Sequence, residues 1–212
     1  MPVRDDVCAR HGRERPIVPS PDAPGLLVGA PEHRQSTMKI TRSALLAYGL
    51  AVAVIVADQL SKGWIMSGLD LREVGRIAVA PPLFHLSWVE NRGVSFGLFG
   101  DGSARWFLSL FSIAVTAVLA WWAARSRRPL LLWAIGLVMG GAVGNVIDRI
   151  RFGYVVDFLD FSGTGIFPWV FNIADSAITV GVALLILDSL LSERSDRSRA
   201  AETVSASSRP EA

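Results

Sequence analysis

A single cysteine, Cys8, and three histidines stand among 212 residues, and these shortages exclude much chemistry at the outset. One thiol allows no intramolecular disulfide and no multi-cysteine metal site. No apolar signal segment precedes Cys8, so it reads as an unpaired thiol in a polar tail and not as a lipidation site. His11 and His33 lie in the same tail and His85 stands alone. Neither a Ser–His–Asp arrangement nor a His/Cys metal centre can be assembled from them. Charge is sparse as well. The 21 Lys and Arg against 19 Asp and Glu leave a net charge of +2, too small a surplus to point to nucleic acid. No segment repeats at a fixed period.

What the chain has in quantity is apolar residues, 51% of the total, and they gather into long runs. A helix of about 20 mostly apolar residues crosses a hydrocarbon core of roughly 30 Å. Residues 43–60, 106–124, 130–147 and 171–191 meet or approach that length, which predicts four transmembrane helices. Most of the seven Trp residues read as interfacial anchors or packing. Short cytoplasmic flanks retain Lys and Arg. Lys39 and Arg42 precede the first run, Arg125, Arg127 and Arg128 fill the link between the second and third, and Arg194, Arg197 and Arg199 follow the fourth. These flanks share one side if all four runs cross, so both termini are expected in the cytoplasm. Lys62, Arg72, Arg76, Arg92, Arg105, Arg149 and Arg151 fall on the other side, so the rule is followed in part, and the dense Arg125–Arg128 link decides.

Three divisions follow. Residues 1–37 are rich in Pro, Arg, Asp and Glu without helical or strand period and are expected to be a disordered extension. Met38 opens a short basic lead into the first run and is a candidate biological start. Residues 38–192 form the membrane domain, and 193–212 read as a polar, disordered cytoplasmic tail. Within the domain, about forty residues separate the first two runs. There Ile77, Val79, Leu83, Phe84, Leu86, Trp88 and Val89, interrupted by Pro81 and Pro82, predict short strands. A second strand-like stretch, within residues 149–169, turns through Gly163 and Gly165. The expected architecture is therefore four helices carrying a small extracytoplasmic β-sheet.

Ionisable residues near membrane segments are costly and point to function. Asp58 and Lys62, spaced i, i+4, share a helix face; they read either as an ion pair ending the first helix or as a contact to substrate or the reacting loop. Gly136, Gly140 and Gly144 recur every fourth residue, a stripe that admits a close neighbouring helix. Gly144 opens GNVIDR, which places Asn145, Asp148 and Arg149 at a helix end, either as a polar terminus with an anchoring Arg or as part of a site. Asp157 stands in YVVDFLDF and Asp175 in FNIADSAITVG. Asn172 and Asp175 also resemble helix-capping residues, and Asp160 is an alternative partner that spacing does not exclude. Two carboxyl groups in one site cannot both ionise readily, so they hold one proton between them. That state suits peptide hydrolysis, in which the ionised member takes a proton from water and the other donates to the carbonyl oxygen.

Five motifs in order, DQLSK, ENRGVSFGLF, GGAVGNVIDR, YVVDF and FNIADSAITVG, resemble those of the lipoprotein signal peptidases (signal peptidase II), across about residues 43–190. The resemblance implies that Asp157 and Asp175 are the catalytic aspartates, and it leaves Asp160 without a catalytic counterpart. Asn91, Asn145, Arg149 and Asn172 match polar residues around the family's active site and substrate. Asp58 and Lys62 match its first-helix motif, and Phe96 and Gly97 its first extracytoplasmic motif. Val94 and Ser95 stand where the family often has Ala, and the long N-terminal tail is a departure that bears on the start site.

The implied activity is that of a membrane aspartic endopeptidase of the bacterial cytoplasmic membrane, working at the extracytoplasmic face. Its substrates would be prolipoproteins carrying diacylglycerol on a cysteine, cut just before that cysteine. No metal or organic cofactor is required, and the cyclic peptide globomycin is expected to block the site. The lipid bilayer is the remaining partner, and a monomer is the working expectation. The residues alone also leave room for a small ion- or proton-coupled transporter. Such sites lie near the bilayer midplane, whereas the polar motifs here collect at helix ends. A membrane scaffold would give no reason for five polar motifs on one side.

Overall fold

The computed structural model describes residues 43–93 and 103–207. Four helices carry the chain through the bundle: α1 (Ala44–Gly63), α3 (Ser103–Arg125), α4 (Pro129–Phe152) and α5 (Ile173–Ser207). A π turn, Trp64–Gly68, prolongs α1 to a 25-residue span, and a single turn, α2 (Leu71–Val74), follows. All four long helices are apolar enough to cross a membrane, with mean hydropathies of 1.8 to 2.0. Their outward faces bear Leu45, Val52, Leu110, Phe111, Val182 and Ile186, apolar groups that a surface in water would not gather but lipid tails accept.

α4 is the axis of the bundle. Its most apolar stretch is 72% buried, against 17% for that of α3, because α1, α3 and α5 all pack on it. Glycine permits this approach. A Cβ at Gly136 would lie 2.7 Å from the Ala47 carbonyl oxygen, and one at Gly140 equally close to that of Ala51. The glycine stripe thus brings α1 into backbone contact with α4, as its spacing predicts. Ala47, Ala51, Leu119, Ala123, Leu132, Ile135 and Met139 fill the core between α1, α3 and α4.

At one end of the bundle stands an antiparallel four-stranded sheet in the order β1 (Arg76–Ala80), β2 (Phe84–Asn91), β3 (Val155–Asp160) and β4 (Val170–Phe171). Ile65, Leu71, Leu86, Val156 and Phe158 form a second core beneath it. The register sets Val89 opposite Asp157 and Asn91 opposite Val155, so Asn91 and Asp157 are diagonal neighbours, within reach of each other's side chains. Gly153, at φ +84°, ends α4 in the left-handed conformation and returns the chain into β3.

Two boundaries differ from those expected. α4 continues to Phe152, past the apolar run that ends near residue 147, so Arg149 stands at a helix end as its motif reads and Arg151 joins the same helix. α5 stays helical to Ser207 where residues from 193 on read as disordered. Helix-favouring Glu and Ala and an i, i+4 pair, Glu193–Arg197, support that extension. The expected N-terminal extension, Met38, and the site candidates Phe96 and Gly97 lie outside the described residues.

Candidate active site

Two carboxyl groups face one another through a shared asparagine frame at the sheet end of the bundle. Asp157 projects from β3 and is 2% exposed. Its Oδ1 accepts a 2.6 Å hydrogen bond from Asn172 Nδ2, and its Oδ2 a 3.0 Å bond from Asn91 Nδ2. Asp175 lies in the first turn of α5, half-buried, and its Oδ1 accepts a 2.7 Å bond from Asn145 Nδ2 on α4. Asn172 joins the two halves. Its Oδ1 caps α5 by accepting the Asp175 N–H at 2.8 Å, while its Nδ2 also approaches Asn145 Oδ1 and the Val156 carbonyl. The capping role read from the sequence and the role beside Asp157 therefore belong to the same side chain.

Burial first, and then the negative charge of Asp175, push the Asp157 carboxyl from the ordinary 3.8 up to about 7, against the hydrogen bonds of Asn91 and Asn172 and the charge of Lys62. At neutral pH this group therefore exchanges its proton readily. Arg149, on α4, is near enough for its charge to act on Asp175, Asp148 and Asp157. Beside Asp157 opens a cavity of about 540 Å³, walled by Asn91 and Arg92 on one flank and Pro168, Trp169 and Val170 on the other. It offers both backbone edges and apolar surface to an extended chain.

Behind the pair, Asp58 and Lys62 come together as their spacing predicts, but a third group joins them. Lys62 Nζ lies 2.8 Å from Asp58 Oδ2 and 2.7 Å from Asp148 Oδ2, and all three residues are at most 1% exposed. Asp148 reads from sequence either as a polar helix end or as part of a site, and no partner is named for it there. Gln59, whose Nε2 donates to Asp148 Oδ1 at 2.9 Å and to Asp58 Oδ2 at 3.2 Å, carries no separate signal beyond its place in DQLSK. Asp160 is engaged elsewhere. Burial would raise its carboxyl, but bonds from Ser162 and Ser87 and the charge of Arg76 outweigh that and hold it at about 2. Ser87 Oγ donates to it at 2.6 Å and the Ser162 N–H at 2.9 Å, so Asp160 fastens the loop after β3 to the sheet.

The fold and site define a multi-pass membrane protein with paired carboxyl groups at one end of its bundle. A family model described as signal peptidase (SPase) II matches residues 50–191. A lipoprotein signal peptidase of Caulobacter vibrioides is 51% identical over 168 residues, covering 78% of this chain and 99% of the relative. One from Shewanella loihica is 45% identical, covering 72% and 90%. A solved bacterial membrane enzyme structure, 31% identical, superposes with a TM-score of 0.59 over 71% of this chain and 90% of that one. The chain belongs to the signal peptidase II family, and it is a peptidase.

Proposed function

We propose that the protein is an aspartic endopeptidase whose catalytic dyad is Asp157 and Asp175. It removes the signal peptides of prolipoproteins, cleaving just before a cysteine that already carries diacylglycerol. The observation that carries the dyad is the pairing itself: a buried carboxyl raised to about 7 beside a second carboxyl, both held by Asn172 and Asn145. Asp157 holds the shared proton, and the Asp175 carboxylate takes a proton from an attacking water. As the water oxygen bonds to the scissile carbonyl carbon, Asp157 passes its proton to the carbonyl oxygen. The resulting diol collapses as Asp175 protonates the leaving nitrogen and Asp157 recovers a proton from a hydroxyl. The C–N bond breaks, giving an acid and an amine and restoring one proton to the pair.

The Arg149 charge acts on Asp175 and on Asp157 and offsets part of the negative charge of the pair. Asn91, on the sheet edge, bonds Asp157 and lines the cavity into which the substrate chain would extend. Phe96 and Gly97 belong to the same first extracytoplasmic motif. The sheet end is the extracytoplasmic face and the opposite end, with Arg125, Arg127 and Arg128, the cytoplasmic one. Lipid chains and the apolar signal helix then hold the scissile bond at the depth of the dyad, and globomycin competes for that position. Membership of a peptidase family replaces the transporter alternative. Asp157→Asn and Asp175→Asn, assayed in bilayers with a diacylated prolipoprotein, are each expected to abolish cleavage while inserting normally. Full activity in either variant would overturn the dyad.

A further inference from the structure

Lys62, Asp58 and Asp148 come from two helices and hydrogen-bond neither reacting carboxyl, yet each of the two aspartates, besides meeting Lys62, accepts a backbone N–H. Asp58 Oδ1 accepts the backbone N–H of Ala174 at 3.0 Å, the residue immediately before Asp175. Asp148 Oδ2 accepts the backbone N–H of Val156 at 3.2 Å, the residue immediately before Asp157. Lys62 Nζ lies between the two carboxyl groups. Gln59 Nε2 spans the same pair and reaches the Gly144 carbonyl at 3.4 Å. Gly144 has to be glycine for this to occur, since a Cβ there would lie 2.8 Å from Asp58 Oδ2.

We propose that Asp58, Lys62 and Asp148 form one buried strut that sets the distance between Asp157 and Asp175 by holding the peptide N–H that precedes each. They are positioning residues rather than substrate contacts, and the inference rests on the dyad reading above. An ion pair that merely ended α1 would need one carboxyl group and no backbone donor. Here one ammonium joins two carboxyl groups, and each of these grips a different element that bears one member of the dyad. A shift of β3 is thereby transmitted to the start of α5. Catalysis by two groups on separate elements depends on their separation, and a displacement of about 1 Å can cost about 100-fold in rate.

The test is steady-state cleavage of a diacylated prolipoprotein by the full chain in bilayers, with Lys62→Met, Lys62→Arg and Gln59→Leu beside wild type. Gln59 is only half-buried, so its variant puts folding at least risk. The groups acting on Asp157 are Asp175 from α5, Lys62 from α1 and Arg149 from α4. Losing the Lys62 charge should therefore move the alkaline limb of the kcat profile to higher pH. Lys62→Met is expected to lower kcat about 50-fold or more with KM within about threefold, and Gln59→Leu to lower it about fivefold. Lys62→Arg should keep the wild-type pH limb while recovering part of kcat. Wild-type kcat in folded Lys62→Met, or a loss confined to KM with an unmoved pH profile, would overturn the strut. If Lys62→Met does not fold, Gln59→Leu is read instead, and there wild-type kcat or a loss confined to KM would overturn the strut. Asp157→Asn, run in parallel, separates the two ideas: activity there would sink the dyad, whereas activity only in the Lys62 and Gln59 variants would sink the strut alone.

Discussion

The two ends of the helix bundle treat charge differently. At the end away from the sheet, Arg128 pairs one-to-one with Asp188 at 2.6 Å, also bonding the Asp188 carbonyl and Ser192. The arginine is 48% exposed, and the contact ties the start of α4 to α5. At the sheet end, the buried Asp58 and Asp148 share the single Lys62, and the buried Asp157 is held by Asn91 and Asn172. A contact that serves anchoring matches one acid with one base, as Arg128 and Asp188 do. An unmatched, buried carboxyl is a cost in stability that makes proton exchange possible near neutral pH.

The largest break in this contrast is at the dyad. Asp157→Asn or Asp175→Asn should lower kcat by about a thousandfold or more, read in the prolipoprotein assay. Asn172→Ala comes next. It removes both the α5 cap and the 2.6 Å bond to Asp157. We expect a fall of about 100-fold in kcat and a loss of about 1–2 kcal/mol of stability, measured by thermal unfolding in detergent. A third prediction uses pH. The Asp157 carboxyl is raised in the folded protein from 3.8 to about 7, so its stabilising contribution is complete below pH 3.8 and lost as pH rises through about 7. Asp157→Asn, permanently neutral, should therefore unfold at higher temperature than wild type at pH 8. The gain should be about 1–2 kcal/mol and vanish at pH 4. The smallest effect belongs to the far end. Arg128→Gln should leave cleavage within about twofold and cost about 1–2 kcal/mol, less than a fully buried pair because the arginine is half in solvent.

The helices and the sheet were legible because their signals are local. Apolar length marks a span, the strands between Pro and Gly turns read directly, and the glycine stripe predicts a close neighbouring helix, a place that α1 takes at Gly136 and Gly140. Helix ends were less legible. α5 runs to Ser207 through residues whose polarity looks like that of a disordered tail, although Glu and Ala there favour helix. In the site, Asp58 and Lys62 were legible as a pair because four residues separate them. Asp148 was not, since its partners Lys62 and Val156 meet it only through folding. Asn172 showed the opposite difficulty. Its capping pattern was visible, but its bond to Asp157 depends on where β3 lies. Spacing leaves Asp160 a rival to Asp157, and its bonds from Ser87 and Ser162 arise only in the fold. Resemblance of motifs selected among the aspartates where spacing could not.

The most direct test of the central claim, that Asp157 and Asp175 share one proton, is the pH dependence of kcat for cleavage of a diacylated prolipoprotein in bilayers. The profile reports apparent values for the site as a whole. The account predicts a bell whose alkaline limb falls near pH 7, where the carboxyl at about 7 loses the shared proton. A kcat that holds level from pH 6 to about pH 9 while the protein stays folded would contradict it.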